Sequence, residues 1–325
     1  MQKIYYILPL ILLLYTSCNG DADIPADAGK DKVVLKIMQQ SGFTTKAIDG
    51  DNLAVEQTVK NLSIFFTEPS ANTISNKYVF AGFSAMGDYQ IVTLPLDAAT
   101  VNSKDIYVIA NYDNEAALNA AATINDLEAL KTPVIDKTNN LAPEKGFCMY
   151  GNTLNFNFND GTNSPAIVNM KRSVAKFRIT VTFPENPLLS TKNSFLIQNA
   201  ATYTNVVGSE TLPSIPVDDL FTYAAPIALN NNGAGAFVNN TYVYESSQAP
   251  SIYIYTYMNN SAQQQEFSAT LPKPVRNHLY DISIQIYSGD VPSGTRSFSG
   301  DEKDRKYAIK STVTVYDENG NIETY

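Results

Sequence analysis

Apolar and polar positions alternate along most of this chain, and that period of two predicts strands. The stretch Val33–Lys46 opens as a short strand with Val33, Leu35 and Ile37 on one face and ends in a polar run. Leu62, Ile64 and Phe66 alternate in the same way within Asn61–Phe66. Lys77–Phe80, Tyr89–Leu94 and Asp105–Ala110 are further extended runs, the last rich in β-branched residues. Phe147–Tyr150 and Leu154–Phe158 are expected to pair across a turn at Gly151-Asn152-Thr153. Val174–Phe183 is the clearest pattern in the chain. Ala175, Phe177, Ile179, Val181 and Phe183 face one way, and Lys176, Arg178, Thr180 and Thr182 are expected on a solvated face. One buried and one wet face fit an antiparallel sheet. Phe195–Ile197, Thr241–Tyr244, Ser251–Met258 and Leu279–Tyr287 continue the series, and Tyr307–Tyr316 closes it.

One segment breaks the rule. Ala116–Leu130 carries Leu118, Ile124, Leu127 and Leu130 at helical spacing in an alanine-rich background, and Pro133 follows it. The first half is therefore read as sheet with one helical connection. Gly161–Pro165 (GTNSP) marks a boundary between two domains. The interval Ser288–Lys306, rich in Gly, Ser and charge, separates the last strand from the body. That strand either crosses and pairs at home or leaves its own domain, since an isolated strand needs a sheet edge.

Composition limits the chemistry. The chain has 325 residues and 44% apolar content, enough for two domains with real cores. A net charge of -9 argues against a nucleic-acid partner and against a basic membrane-surface patch. Lys3 precedes the apolar run Ile4–Leu14, which is too short to span a bilayer and suits a signal segment. The run ends in Thr16-Ser17-Cys18 and resembles a bacterial lipoprotein processing site, with an ordinary secretory signal as the other reading. Asn19–Asp31 is polar and acidic and reads as a disordered tether. With Cys18 lipidated, Cys148 has no disulfide partner and is expected as a buried structural thiol.

No catalytic pattern emerges. His278 is the only histidine, which rules out a histidine-rich zinc site, and its place before Leu279–Tyr287 predicts a strand-entry role. There is no phosphate-binding glycine loop and no HExxH. Asn157–Gly161, with the single carboxylate of Asp160, is a minimal candidate for a calcium loop. No cofactor is expected.

Several of these stretches, taken in order, resemble the FimA/Mfa1 class of Bacteroidales fimbrial subunits, the type V pilins. Val33-Val34-Leu35-Lys36, Asn61–Phe66, Val108–Asn111, Lys171–Phe177, Arg276–Ile282 and Ser311–Tyr316 carry the resemblance, with Arg276-Asn277-His278-Leu279-Tyr280 the most specific. Tyr316 and Tyr325 stand where tryptophans are frequent in that class. The resemblance implies an all-β protein of two tandem transthyretin-like antiparallel β-sandwich domains. It implies a signal over 1–18 ending at lipidated Cys18, a tether over 19–32 and an N-terminal domain over 33–165. Within that domain, 33–46 is the removable strand and cleavage segment. The C-terminal domain then covers 166–325, with a donor strand at 307–325.

The same resemblance implies a mechanism. A lipidated precursor reaches the outer membrane, and a trypsin-like protease cuts between Lys46 and Ala47. Lys30, Lys32 and Lys36 are the other lysines nearby. The strand bearing Val33, Leu35 and Ile37 leaves, and Ile309, Ser311, Val313 and Val315 of another copy replace it. The product is an extracellular homopolymer with anchor and tip subunits, used in adhesion and biofilm growth through a host or bacterial receptor. Two other readings stand beside it: a non-polymerising anchor or tip subunit, and a monomeric glycan-binding surface lipoprotein.

Overall fold

The computed structural model describes residues 33–39, 56, 58–80, 85–86, 89–95, 102–133, 146–159, 164–183, 194–209, 211–217, 220–221, 227–228, 230–231, 236–256, 265–288, 307–317 and 321–323. In chain order the first strands are β1 (Val33–Gln39), β2 (Thr58–Val59), β3 (Leu62–Thr67), β4 (Ile74–Phe80), β5 (Ala85–Met86), β6 (Tyr89–Leu94) and β7 (Ser103–Ala110). Helices α1 (Glu115–Ala120) and α2 (Ile124–Glu128) follow, then β8 (Met149–Asn157), β9 (Ala166–Arg172) and β10 (Val174–Thr182). The rest is β11 (Ser194–Gln198), β12 (Ala200–Ala201), β13 (Leu220–Phe221), β14 (Ile227–Ala228), β15 (Asn230–Asn231), β16 (Ala236–Tyr244), β17 (Ser251–Thr256), β18 (Gln265–Thr270), β19 (Leu279–Ser288), β20 (Tyr307–Tyr316) and β21 (Ile322–Glu323).

The first seven-stranded arrangement runs β4-β3-β7-β8-β9-β1-β6. The ladder between β8 and β9 is confined to Met149↔Arg172 and Tyr150↔Lys171. Residues from both ends of this order nonetheless share one core, with Leu35 and Val168 in the same cluster as Ile64, Phe66 and Val108. The second domain pairs a six-stranded sheet, β15-β16-β10-β19-β20-β21, with a four-stranded one, β14-β11-β17-β18. Phe177, Ile179 and Ile282 of the first meet Phe195, Ile252 and Ile254 of the second in a single core. The molecule is thus mostly β, in two sheet regions that resemble tandem sandwiches.

All of β3 is buried, because both of its faces are covered. Ile64 and Phe66 enter the sheet core, while Phe65 packs with Leu118, Ile124 and Leu127 of the helices. The helical connection expected over 116–130 consists of two short helices. Thr123 and Asp126 form a capping box that starts α2, and Ala121 is extended at ψ 124. The local hydrogen-bonding potential of Thr123 thus overrides the continuous apolar spacing.

Two other expectations change. Met149–Asn157 is one strand rather than a hairpin. Gly151 lies within it because a side chain there would overlap the Asn169 carbonyl oxygen, so glycine serves close strand approach and not a turn. The antiparallel expectation is incomplete: β10 pairs antiparallel with β16 but parallel with β19, and β1 is parallel to β9. Alternation reports which face is buried and is silent on the direction of the neighbour. The crossover between the two sheets falls at Ser173, because β9 (7 residues) still belongs to the first sheet beside β1.

Candidate functional site

β1 occupies an interior position. It pairs antiparallel with β6, from Val33↔Leu94 to Met38↔Tyr89, and parallel with β9, from Leu35↔Ala166 to Gln39↔Met170. Val33, Leu35 and Ile37 are 1%, 0% and 5% exposed, so all three predicted inward residues are core. Burying three such side chains contributes roughly 5–9 kcal/mol as an upper bound. Two strand ladders add to this. The walls of the slot, β6 and β9, carry Val92, Leu94, Ala166, Val168 and Met170 in the same core. The alternation of Ala166, Val168 and Met170 in the sequence was the available signal for the β9 wall.

The C-terminal strand is at home. All 10 residues of β20 pair antiparallel with β19, from Leu279↔Tyr316 to Ser288↔Tyr307. Ile309 and Val315 are buried in the second domain's core, and Val313 packs against it partly buried. Ser311, on the same alternation, is exposed. Beyond β20, the short β21 pairs at Val315↔Glu323 and Tyr316↔Ile322. Cys18, Lys46 and Ala47 lie outside the described residues, as does Asp160 of the candidate calcium loop. Among the described residues no group of three or more His, Cys, Asp or Glu is placed to hold a metal ion.

His278 is buried at the entry to β19, with Nδ1 2.8 Å from the Arg276 carbonyl oxygen. Asn277 before it takes a left-handed backbone at φ 60. Cys148 is buried and forms no disulfide. Burial pushes its thiol up to about 12, with a smaller opposing pull from Arg276. A thiol poised so high stays protonated, so Cys148 is expected to resist iodoacetamide at pH 8 in the native chain and to react on unfolding. Rapid native labelling, read by intact mass, would contradict this placement.

Lys176, expected in solvent, is buried at 1% exposure. It faces Glu56 across 2.9 Å, and both side chains are 1% exposed. Nothing in the local alternation signals that partner, which lies far back in the chain.

The family model described as major fimbrial subunit protein (FimA) matches residues 32–211 of this chain. No curated protein gives a match. Among solved structures, one described as a cell adhesion protein from Parabacteroides distasonis is 14% identical at a TM-score of 0.59, covering 91% of this chain and 99% of that one. A cell adhesion protein from Bacteroides eggerthii is 17% identical at a TM-score of 0.57, over 88% of this chain and 97% of its own. The tip fimbrial protein Mfa3 from Porphyromonas gingivalis is 14% identical at a TM-score of 0.55, over 87% and 99%. At such identities the likenesses speak for the fold. The match over 32–211, more than half of the 325 residues, decides the matter: the chain belongs to the FimA family of fimbrial subunits.

Proposed function

We propose that this chain is a building block of a surface fimbria that polymerises by exchanging β1 for the C-terminal strand of another copy. Family membership makes it a structural subunit rather than an enzyme. The observation that carries the exchange reading is the position of β1, the first described strand, inserted between β6 and β9. Removing an interior strand leaves two facing ladder edges and a hydrophobic trough, a state that recruits a strand from elsewhere. Cleavage makes the exchange directional, since a cut strand is no longer held at high local concentration.

The finer parts of the reading follow. Cys18 is lipidated and anchors the precursor in the outer membrane, and a trypsin-like protease cuts between Lys46 and Ala47. The two domains are transthyretin-like sandwiches. The segment 307–325 donates through Ile309, Ser311, Val313 and Val315, and accessory anchor and tip subunits and a surface receptor complete the system. A Lys46→Ala chain is expected to remain uncut and monomeric. N-terminal sequencing and electron microscopy of surface material check it, and normal polymer from that variant would sink the Lys46 assignment.

The ten-residue pairing of β20 with β19 favours a second reading, an anchor or tip subunit whose β20 never leaves home. Gln285 and Lys310 are register partners, both exposed. A disulfide between Gln285→Cys and Lys310→Cys staples β20 in place. A donor subunit then stops extending filaments until it is reduced, whereas a subunit that never donates is indifferent to the staple.

A further inference from the structure

Glu56 stands between β1 and β2, yet its side chain reaches into the other domain. Its carboxylate takes the Lys176 ammonium at 2.9 Å and the Tyr242 hydroxyl. Lys176 lies on β10 and Tyr242 on β16, adjacent strands of the second domain's six-stranded sheet. The backbone carbonyl of Glu56 accepts from Arg172 Nε at 2.8 Å. Arg172 ends β9 of the first domain, and its Nη1 donates to Asn277 Oδ1 at 3.0 Å, at the entry to β19. Burial lowers the Arg172 guanidinium to about 10, while Glu56 and Tyr242 oppose the shift. One residue from the first domain is therefore gripped from both sides.

This network surrounds the crossover. Ser173 alone separates β9 from β10, and it is tied to both domains. Its N–H donates to the Cys148 carbonyl at 2.9 Å, and its carbonyl accepts from Glu245 N at 3.4 Å. β9 forms one wall of the β1 slot, and β10 pairs with β19, which pairs with β20. A continuous run of backbone and ladders thus leads from the slot to the C-terminal strand, with Arg172 and Lys176 bracketing its bend.

We infer that Glu56, held by Arg172 from its own domain and by Lys176 and Tyr242 from the other, is an interdomain latch that makes the two domains open as one body. Removing one partner of such a buried pair leaves the other charge uncompensated in the closed arrangement, so loss of the Glu56 carboxylate favours separation of the domains at Ser173. The consequence for a filament rests on the strand-exchange reading. Glu56 lies after Lys46, so the latch stays with the cut subunit and transmits tension from slot to β20 without opening the bend. The latch itself acts in the uncut monomer.

Hydrogen exchange with mass spectrometry on the full uncut chain, in mild denaturant, tests it. Peptides covering β7 and β17 report the two domains. In the parent they are expected to open together. In Glu56→Gln, which leaves the Lys176 ammonium opposite a neutral amide, separate opening of the first domain should become on the order of a hundredfold more frequent. Glu56→Gln combined with Lys176→Met removes the stranded charge. That variant should recover the protection of the second domain while the domains still open separately, which a purely local stabilising role would not produce. Separate opening in the parent, or coincident opening in the double variant, would overturn the latch. The readout is monomeric, so it is untouched if strand exchange proves wrong.

Discussion

A Leu35→Asp chain is expected to unfold at far lower denaturant than its parent, with a loss of at least about 4 kcal/mol. Leu35 is 0% exposed and sits between Val92 on β6 and Ala166 on β9. The substitution forfeits about 1.5–3 kcal/mol of aliphatic burial. It also places a carboxylate in a core cluster made of apolar residues, where an unpaired charge costs several kcal/mol more. Such a loss is a large part of the stability of an ordinary domain, roughly 5–15 kcal/mol. The control is the next residue, Lys36, which is half-buried on the opposite side of the strand. Lys36→Gln should stay within about 1 kcal/mol of the parent. Urea unfolding followed by circular dichroism measures both. A Leu35→Asp midpoint close to the parent's would mean that β1 is not an integral part of the core, and the exchange reading would lose its foundation.

The second large effect is expected at Arg276. Its Nη2 meets the Glu245 carboxylate and donates to the Asn205 carbonyl at 3.0 Å, and its Nη1 donates to the Val206 carbonyl at 3.3 Å. Those bonds hold a segment whose Val206 and Val207 pack with Leu118 and Leu127 beside the helices of the first domain. Glu245 is 2% exposed. Arg276→Met strands that carboxylate and leaves the two carbonyls without this donor, at an expected cost of about 3–5 kcal/mol. Glu245→Gln in the Arg276→Met background should recover part of the loss, and a double-mutant cycle should show strong coupling. Simple additivity of the two changes would show that the pair does not act as a unit. Gly208 gives a further check. A side chain there would meet Arg276 Nη1 at 2.8 Å, so Gly208→Ala should be better tolerated once Arg276 is methionine.

The two effects differ in how readable they were. Leu35 was legible because burial of one strand face leaves a period of two in the sequence, and β1, much of β10 and β19 carry it. Arg276 was singled out only as part of a resembling segment. Its partner Glu245 lies on the far side of two strands, and nothing in the spacing connects them. Lys176 shows the same limit: its alternation assigned it to solvent, and its burial is met by Glu56, a partner that lies far back in the chain. The helical connection over 116–130 was legible in composition and spacing, but its division into two helices was not, because a capping box at Thr123 competes with apolar spacing.

What the sequence determined by itself is many of the strands, the inward residues of β1 and the family, since local periodicity and ordered motifs survive without tertiary information. The tertiary structure alone decided that β1 lies between β6 and β9, that β20 pairs with β19, and that the two sheets change over at Ser173. Strand order and direction are set by which edges and charges meet across long separations. A burial pattern is the same whichever neighbour covers it.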